Sequence, residues 1–160
     1  MDATQYLRDD HELLRGLFQA IRETPPEERR KRQELVDELS EQLVMHELIE
    51  EEVFYPALVH ASDLVPQAVA DHQHTREQLA LLQSIEPACQ TFSEQFEVLR
   101  RTTEEHFAEE ERVLFAAARD LGRKELLRLG ELLETRKRQL AESPEERAVR
   151  HFNRTAWKVV

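Results

Sequence analysis

Met45-His46-Glu47-Leu48-Ile49-Glu50-Glu51-Glu52-Val53-Phe54-Tyr55-Pro56 is the stretch whose reading decides the fold. His46 and Glu50 stand one helical turn apart, so on an α-helix they stack on one face. That face is also the apolar one: Leu35, Leu39, Leu43, His46, Glu50 and Val53 recur at steps of four, four, three, four and three. A carboxylate in a core stripe is costly, because burial strips its hydration. Either the stripe is not a core face, or positive charge lies in the interior.

The same irregularity recurs along the chain. A first helix is expected over about Thr4 to Glu23, with Leu7, His11, Leu14, Phe18 and Ile21 as its stripe and a histidine in the core register. Pro25-Pro26 ends it, and the helix carrying the opening stretch follows the charged run Glu27 to Arg32 and stops or bends near Pro56. Ala57 to Pro66 reads as a connector. A third helix starts near Pro66 with the stripe Val65, Val69, His72, Arg76, Leu79 and Leu82, and Ser84 to Ala88 breaks the pattern. The fourth stripe is the most regular: Phe92, Phe96, Leu99, Thr103, His106, Glu110, Val113 and Ala117, with Gly122 marking the end. A leucine-rich fifth helix is expected over about Lys124 to Ala141, followed by a tail that holds Trp157.

Composition supports an all-α chain. Of 160 residues, 34% are charged and only 3 are glycine, which favours long helices. The expected architecture is an antiparallel up-down-up-down four-helix bundle over residues 1–120, an accessory helix over 121–142 and a tail over 143–160. The net charge of -11 argues against a nucleic-acid partner. Cys89 is the only cysteine, which excludes an intrachain disulfide and a thiolate cluster. No apolar run approaches the roughly 18 residues needed to span a bilayer, and the first residues do not resemble a signal peptide. A cytoplasmic protein without a membrane partner is expected, with a homodimer through the fifth helix or tail as one arrangement.

In such a bundle His11, His46, Glu50, His72, His106 and Glu110 project inward at comparable depth. Six polar groups in one core layer are tolerable only if they satisfy one another or hold cations. Imidazole and carboxylate donors without sulfur suit two transition-metal ions bridged by carboxylate: iron first, with manganese, zinc and cobalt as alternatives.

His11, His46-x-x-x-Glu50, His72 and His106-x-x-x-Glu110 together resemble the hemerythrin-like (HHE cation-binding) domain. Asp10-His11, Glu51-Glu52-Val53-Phe54-Tyr55-Pro56 and Glu109-Glu110-Glu111-Arg112-Val113-Leu114-Phe115 support the resemblance. It implies a four-helix bundle with two non-haem iron ions, bridged by carboxylate and oxo or hydroxo oxygen, that meet dioxygen, nitric oxide or peroxide. Oxygen-carrying hemerythrins place a second histidine four residues after the first on helix three, where this chain has Arg76. His74 cannot replace it, because two residues turn a helix by about 200°. Glu47 is the substitute ligand that a resemblance to the F-box hemerythrin-like iron sensor suggests; otherwise it is an ordinary surface acid. On helix four, hemerythrins proper have an aspartate at the position of Glu111, whereas most other members have a glutamate where Glu110 stands. Glu110 is preferred because it lies on the seam.

A carboxylate in place of a histidine favours the ferric state and disfavours reversible oxygen carriage. The expected roles are oxygen, iron or nitric-oxide sensing or handling. Alternatives are a di-iron oxidoreductase, peroxidase-like, catalase-like or ferroxidase, and a metal-free helical interaction module. His46-Glu47-Leu48-Ile49-Glu50 lacks the second histidine of a zinc-protease HExxH helix. Glu51, Glu52, Glu109 and Glu111 read as a solvated face, Arg76 as a side chain that either neutralises the cluster from outside the ligands or, the preferred reading, reaches solvent, and Tyr55 as packing or a hydrogen-bond donor to the site.

Overall fold

The computed structural model describes residues 1–143. Its helices are α1 (Ala3–Glu23), α2 (Arg29–Ile49), α3 (Tyr55–Leu58), α4 (Val65–Gln83), α5 (Gln90–Glu109), α6 (Phe115–Arg119) and α7 (Arg123–Glu142). Two π-helical turns, Glu50–Phe54 and Glu110–Leu114, join α2 to α3 and α5 to α6 without a break. The expected tail, with Arg147, Arg150, His151, Phe152, Arg154, Trp157 and Lys158, lies outside the described residues.

Local chemistry sets the ends. Asp2 caps α1 by accepting from the Gln5 N–H at 3.0 Å, satisfying one of the first-turn donors. Pro66 falls in the first turn of α4, where its missing N–H costs nothing. Gly122 takes φ +85° between α6 and α7, a left-handed conformation that glycine adopts without a Cβ clash. The α2 helix begins inside the charged run that was expected to precede it. Its buried Arg32 donates to the carbonyls of Thr24 at 2.9 Å and Pro87 at 2.8 Å, tying together the two loops at that end.

The helices α1, α2, α4 and α5 form the antiparallel bundle. The core is divided in two by a polar layer. One apolar cluster gathers Leu14, Phe18, Ile21, Val36, Leu39, Leu43, Leu79, Leu82, Phe92, Phe96, Leu99 and Phe107. The other holds Leu7, Ile49, Phe54, Tyr55, Leu58, Leu114 and Phe115, and α7 joins it through Leu126, Leu129, Leu133 and Leu140. Gly130 lets α7 close on the start of α1: an added Cβ would stand 2.2 Å from the Met1 carbonyl oxygen. Leu127 and Leu132 of the expected leucine cluster face out instead.

The stripes fail in two informative ways. Upstream of the polar layer, Val36 rather than Leu35 is buried on α2, and Ala68 rather than Val69 on α4. Downstream, Phe54 and Tyr55 replace Val53, and Leu114 and Ala118 replace Val113 and Ala117. The π turns explain the second set. Each inserts one residue into a turn, so every later side chain moves to a position the α-helical period does not give it. The connector is correspondingly shorter than expected, because the helix continues to Leu58.

Candidate metal centre

Each π turn begins at a buried glutamate. His46 and Glu50 come from α2 and its π turn, His106 and Glu110 from α5 and its π turn, and His11 and His72 from the middles of α1 and α4. All six are buried, with His106 the most open at 8% exposure and His11, His46 and His72 at zero.

Their inward atoms form two groups that share Glu50: His11, His46, Glu50 and Glu110, and Glu50, His72 and His106. Glu50 Oε1 lies 3.0 Å from His46 Nε2 and 3.9 Å from His11 Nε2, and its Oε2 lies 3.1 Å from His72 Nε2. Glu110 Oε2 stands 3.3 Å from His11 Nε2 and 3.9 Å from His106 Nε2. Glu50 thus faces both groups, as a bridging ligand would, and Glu110 also lies within reach of a histidine from each.

Whether cations fit is decided by the unsatisfied atoms. Among the described residues, His11 Nε2, His46 Nε2, Glu50 Oε1 and both carboxylate oxygens of Glu110 are buried without a hydrogen-bond partner. Native interiors rarely leave such atoms unpaired. Here they converge from three helices on one point, and nitrogen and oxygen donors in this mixture suit a first-row divalent metal.

The electrostatics agree. Burial pulls the His11 pKa down, but the adjacent carboxylates of Glu110, Glu111 and Glu50 outweigh it and hold the ring well above the usual imidazole range. His72 behaves alike: burial lowers it, while Glu47, Glu50 and Glu51 drive it up to about 10. Glu50 is held well below the usual carboxylate range, because His46, His11 and His72 overcome its desolvation. Without a metal, protons would supply the positive charge that the layer requires.

Every one of the four histidines turns its Nε2 inward and its Nδ1 toward an acid. His11 Nδ1 meets Glu111 Oε1 at 2.7 Å, His46 meets Asp10 Oδ2 at 3.2 Å, His72 meets Glu51 Oε1 at 2.8 Å, and His106 meets Asp71 Oδ2 at 3.2 Å. Such carboxylate–imidazole pairs fix the ring and raise its donor strength. Glu51 and Glu111 are therefore not the solvated face that periodicity suggested. Both reach across the bundle, Glu51 to the histidine of α4 and Glu111 to that of α1. Asp71 was missed altogether. A signal for it exists in the sequence, since Asp71-His72 repeats Asp10-His11, just as Glu110-Glu111 repeats Glu50-Glu51.

These correspondences describe an approximate two-fold relation between α1–α3 and α4–α6, broken at a few positions. Phe107 follows His106 where Glu47 follows His46, and Phe115 follows its π turn where Tyr55 follows the other. Phe107 stacks on His11 with centroids 4.0 Å apart. Tyr55 instead donates to Glu50 Oε2 over 3.3 Å and lies 3.1 Å from His72 Nε2. The π turn makes that contact, by setting residues five apart on one side.

Glu47 is buried, but its carboxylate belongs to neither donor group: Arg76 donates to Glu47 Oε2 at 2.8 Å and to Glu51 Oε1 at 3.0 Å. Arg76 thus turns to these acids rather than to solvent. Desolvation lifts Glu47 to a pKa of about 7 against the pull of His72 and Arg76. Of the other acids expected on a solvated face, Glu109 remains exposed and pairs with Arg112 at 2.7 Å. His60 and His74 are exposed, and Cys89 is half-buried and free. Among the described residues no helix is long and apolar enough to cross a membrane.

Comparison with known proteins agrees with this geometry. The chain is 32% identical over 146 residues to uncharacterised proteins of Mycobacterium bovis and Mycobacterium tuberculosis, covering 90% of each chain. Its structure superimposes with a TM-score of 0.81 on the crystal structure of a hemerythrin HHE cation-binding domain-containing protein from Mycobacterium kansasii. That similarity covers 96% of this chain and 99% of the other, at 28% identity. The model of the hemerythrin HHE cation-binding domain matches residues 2–68 and again 63–154. With buried imidazoles and carboxylates arranged to hold cations, this chain belongs to the hemerythrin HHE cation-binding family.

Proposed function

We propose that the chain is a non-haem di-iron protein that handles dioxygen or a related small species, peroxide or nitric oxide, rather than carrying oxygen reversibly. The observation that carries this reading is the convergence of four imidazoles with Glu50 and Glu110 in one buried layer, in which the His72–His106 side is the more open. Iron held there supplies redox chemistry and Lewis acidity toward a small ligand at the less crowded side.

The chain's own groups make that side suitable. Tyr55 places a hydroxyl beside His72 and Glu50. Burial, reinforced by Glu50 and Glu110, holds its pKa well above the usual phenol range, so it keeps its proton and can donate it in a hydrogen bond. Of the four histidines of the site, His106 is the most exposed, which makes this side the more open to a small molecule. Around His11, by contrast, the rings of Phe107 and Phe115 exclude water. Arg76 holds Glu47 and Glu51 where an oxygen carrier would present another imidazole. That position therefore offers no further imidazole, which counts against reversible carriage.

The test has two stages. Elemental analysis of purified protein is expected to give about two metal ions per chain, with iron taken up in preference to manganese or zinc. The reduced, iron-loaded protein is then exposed to air and followed by absorption spectroscopy. Oxidation without a stable oxygenated form is expected, and a form that releases its oxygen under vacuum would overturn the proposal. A metal-free interaction module remains the rival from another class, and the five unpartnered buried atoms weigh against it. Tyr55 favours a second reading, a peroxide-consuming oxidoreductase; oxygen evolution from hydrogen peroxide, compared between the wild type and Tyr55→Phe, separates it from a sensor.

A further inference from the structure

The four carboxylates that hold the histidines are not treated alike. Glu51 is gripped by Arg76 of α4, and Glu111 by Arg8 and Arg15 of α1, all within the bundle. Asp71 takes only a neutral donor on its other oxygen, Gln67 Nε2 at 2.8 Å, and its side chain is 35% exposed. Asp10 is its counterpart by the two-fold relation, and it differs in both respects. Its side chain is 10% exposed, and its second oxygen accepts from Lys137 Nζ at 2.6 Å. Lys137 belongs to α7, the helix outside the four-helix bundle.

A buried carboxylate with one oxygen on an imidazole leaves its other oxygen desolvated, and an unpaired charge there would force the group to turn or take up a proton. The ammonium of Lys137 removes that need. It fixes the plane of Asp10, hence the ring of His46, hence the direction of His46 Nε2 toward Glu50 Oε1 at 3.0 Å. No cation does the same for His106 through Asp71 among the described residues.

We infer that Lys137 is a positioning residue of the metal centre, acting through Asp10 on His46, and that α7 thereby makes the His11–His46 position the more tightly held of the two. The inference rests on the di-metal reading above. It gives the fifth helix a role in metal retention beyond covering an apolar face. The ion at the His72–His106 position has no such strap and is the first to leave.

The test uses the full chain and cobalt(II), whose visible bands report its coordination, titrated into metal-free protein with a competing chelator. The wild type is expected to take up two equivalents of unequal affinity. In K137M, and in K137Q, which keeps a neutral donor, the tighter equivalent should weaken about tenfold, the low end for losing an outer partner of a ligand. Its visible bands should change while the weaker equivalent stays as it was. K137R should restore both. Glu52→Gln is the control, since it cuts another ion pair between α7 and the bundle, Glu52 with Arg136, without touching a histidine partner. Unchanged affinities and bands in both Lys137 variants would overturn the inference, as would an equal loss in E52Q, which would make α7 a mere tether. A wild-type chain that takes up no cobalt overturns the di-metal reading along with it, so the two failures are distinct.

Discussion

Glu111 Oε1 lies 2.7 Å from His11 Nδ1, although one hundred residues separate them along the chain. The contact spans two helices and holds a histidine whose other nitrogen faces Glu50 and Glu110. Glu111→Ala should therefore weaken metal binding roughly 10- to 100-fold, the usual cost of losing a ligand's outer partner. Glu111→Gln should be milder, because the amide oxygen still accepts from the ring. Dialysis against graded chelator, followed by elemental analysis, measures both.

Removing ligands directly should do more. His46→Ala together with His106→Ala takes an imidazole from each donor group. The double variant is expected to retain no metal through purification, while circular dichroism remains helical. Two ions per chain in that variant would show that the cations sit elsewhere.

Stability should depend on pH in opposite ways with and without metal. In the metal-free chain His72 is raised from 6.5 to about 10, so the folded state binds the proton more tightly than the unfolded one. Its contribution is complete below about pH 6.5 and disappears as pH rises through about 10. His11 and His46 shift in the same direction, and Glu47, raised from 4.5 to about 7, has already lost its contribution by neutrality. Glu50 acts in reverse, but only in acid, because its pKa is lowered. The metal-free Tm should therefore fall between pH 6.5 and 10. Metal on the imidazole nitrogens replaces those protons, and the loaded Tm should stay flat or rise over the same window. Thermal melts of both forms decide it.

Far from the site, Arg32→Ala leaves the carbonyls of Thr24 and Pro87 without their buried donor. Each lost partner costs about 1–3 kcal/mol, so a destabilisation of roughly 2–6 kcal/mol is expected in urea unfolding. Arg32 also stacks over Phe92, with its guanidinium carbon 5.2 Å from the ring centroid. Metal stoichiometry should not change, because Arg32 and His46 are roughly 20 Å apart along α2 at the α-helical rise.

Much of this was legible in the chain as text. His11, His46, Glu50, His72, His106 and Glu110 all occupy core positions of helical stripes, and helical period alone brings them to one layer. That argument uses only the period and the cost of buried charge. Failures begin where an interaction crosses between helices. Glu51, Glu111 and Asp71 look like solvated acids because their own helix points them to its flank, and only a neighbouring helix supplies the imidazole they hold. Arg76 likewise looks bound for solvent until Glu47 and Glu51 are placed beside it.

The sequence by itself determined an all-helical bundle and the presence of acids and imidazoles in its interior, because both follow from periodicity and from the hydration that charge loses on burial. Only the tertiary structure decided the rest: the π turns that bring Tyr55 rather than Val53 inward, the turning of Glu47 to Arg76, and the reach of Lys137 to Asp10. The reason is physical. A regular helix has one period that can be read along the chain, whereas a π turn and a contact between helices depend on which partners the packed bundle brings within reach.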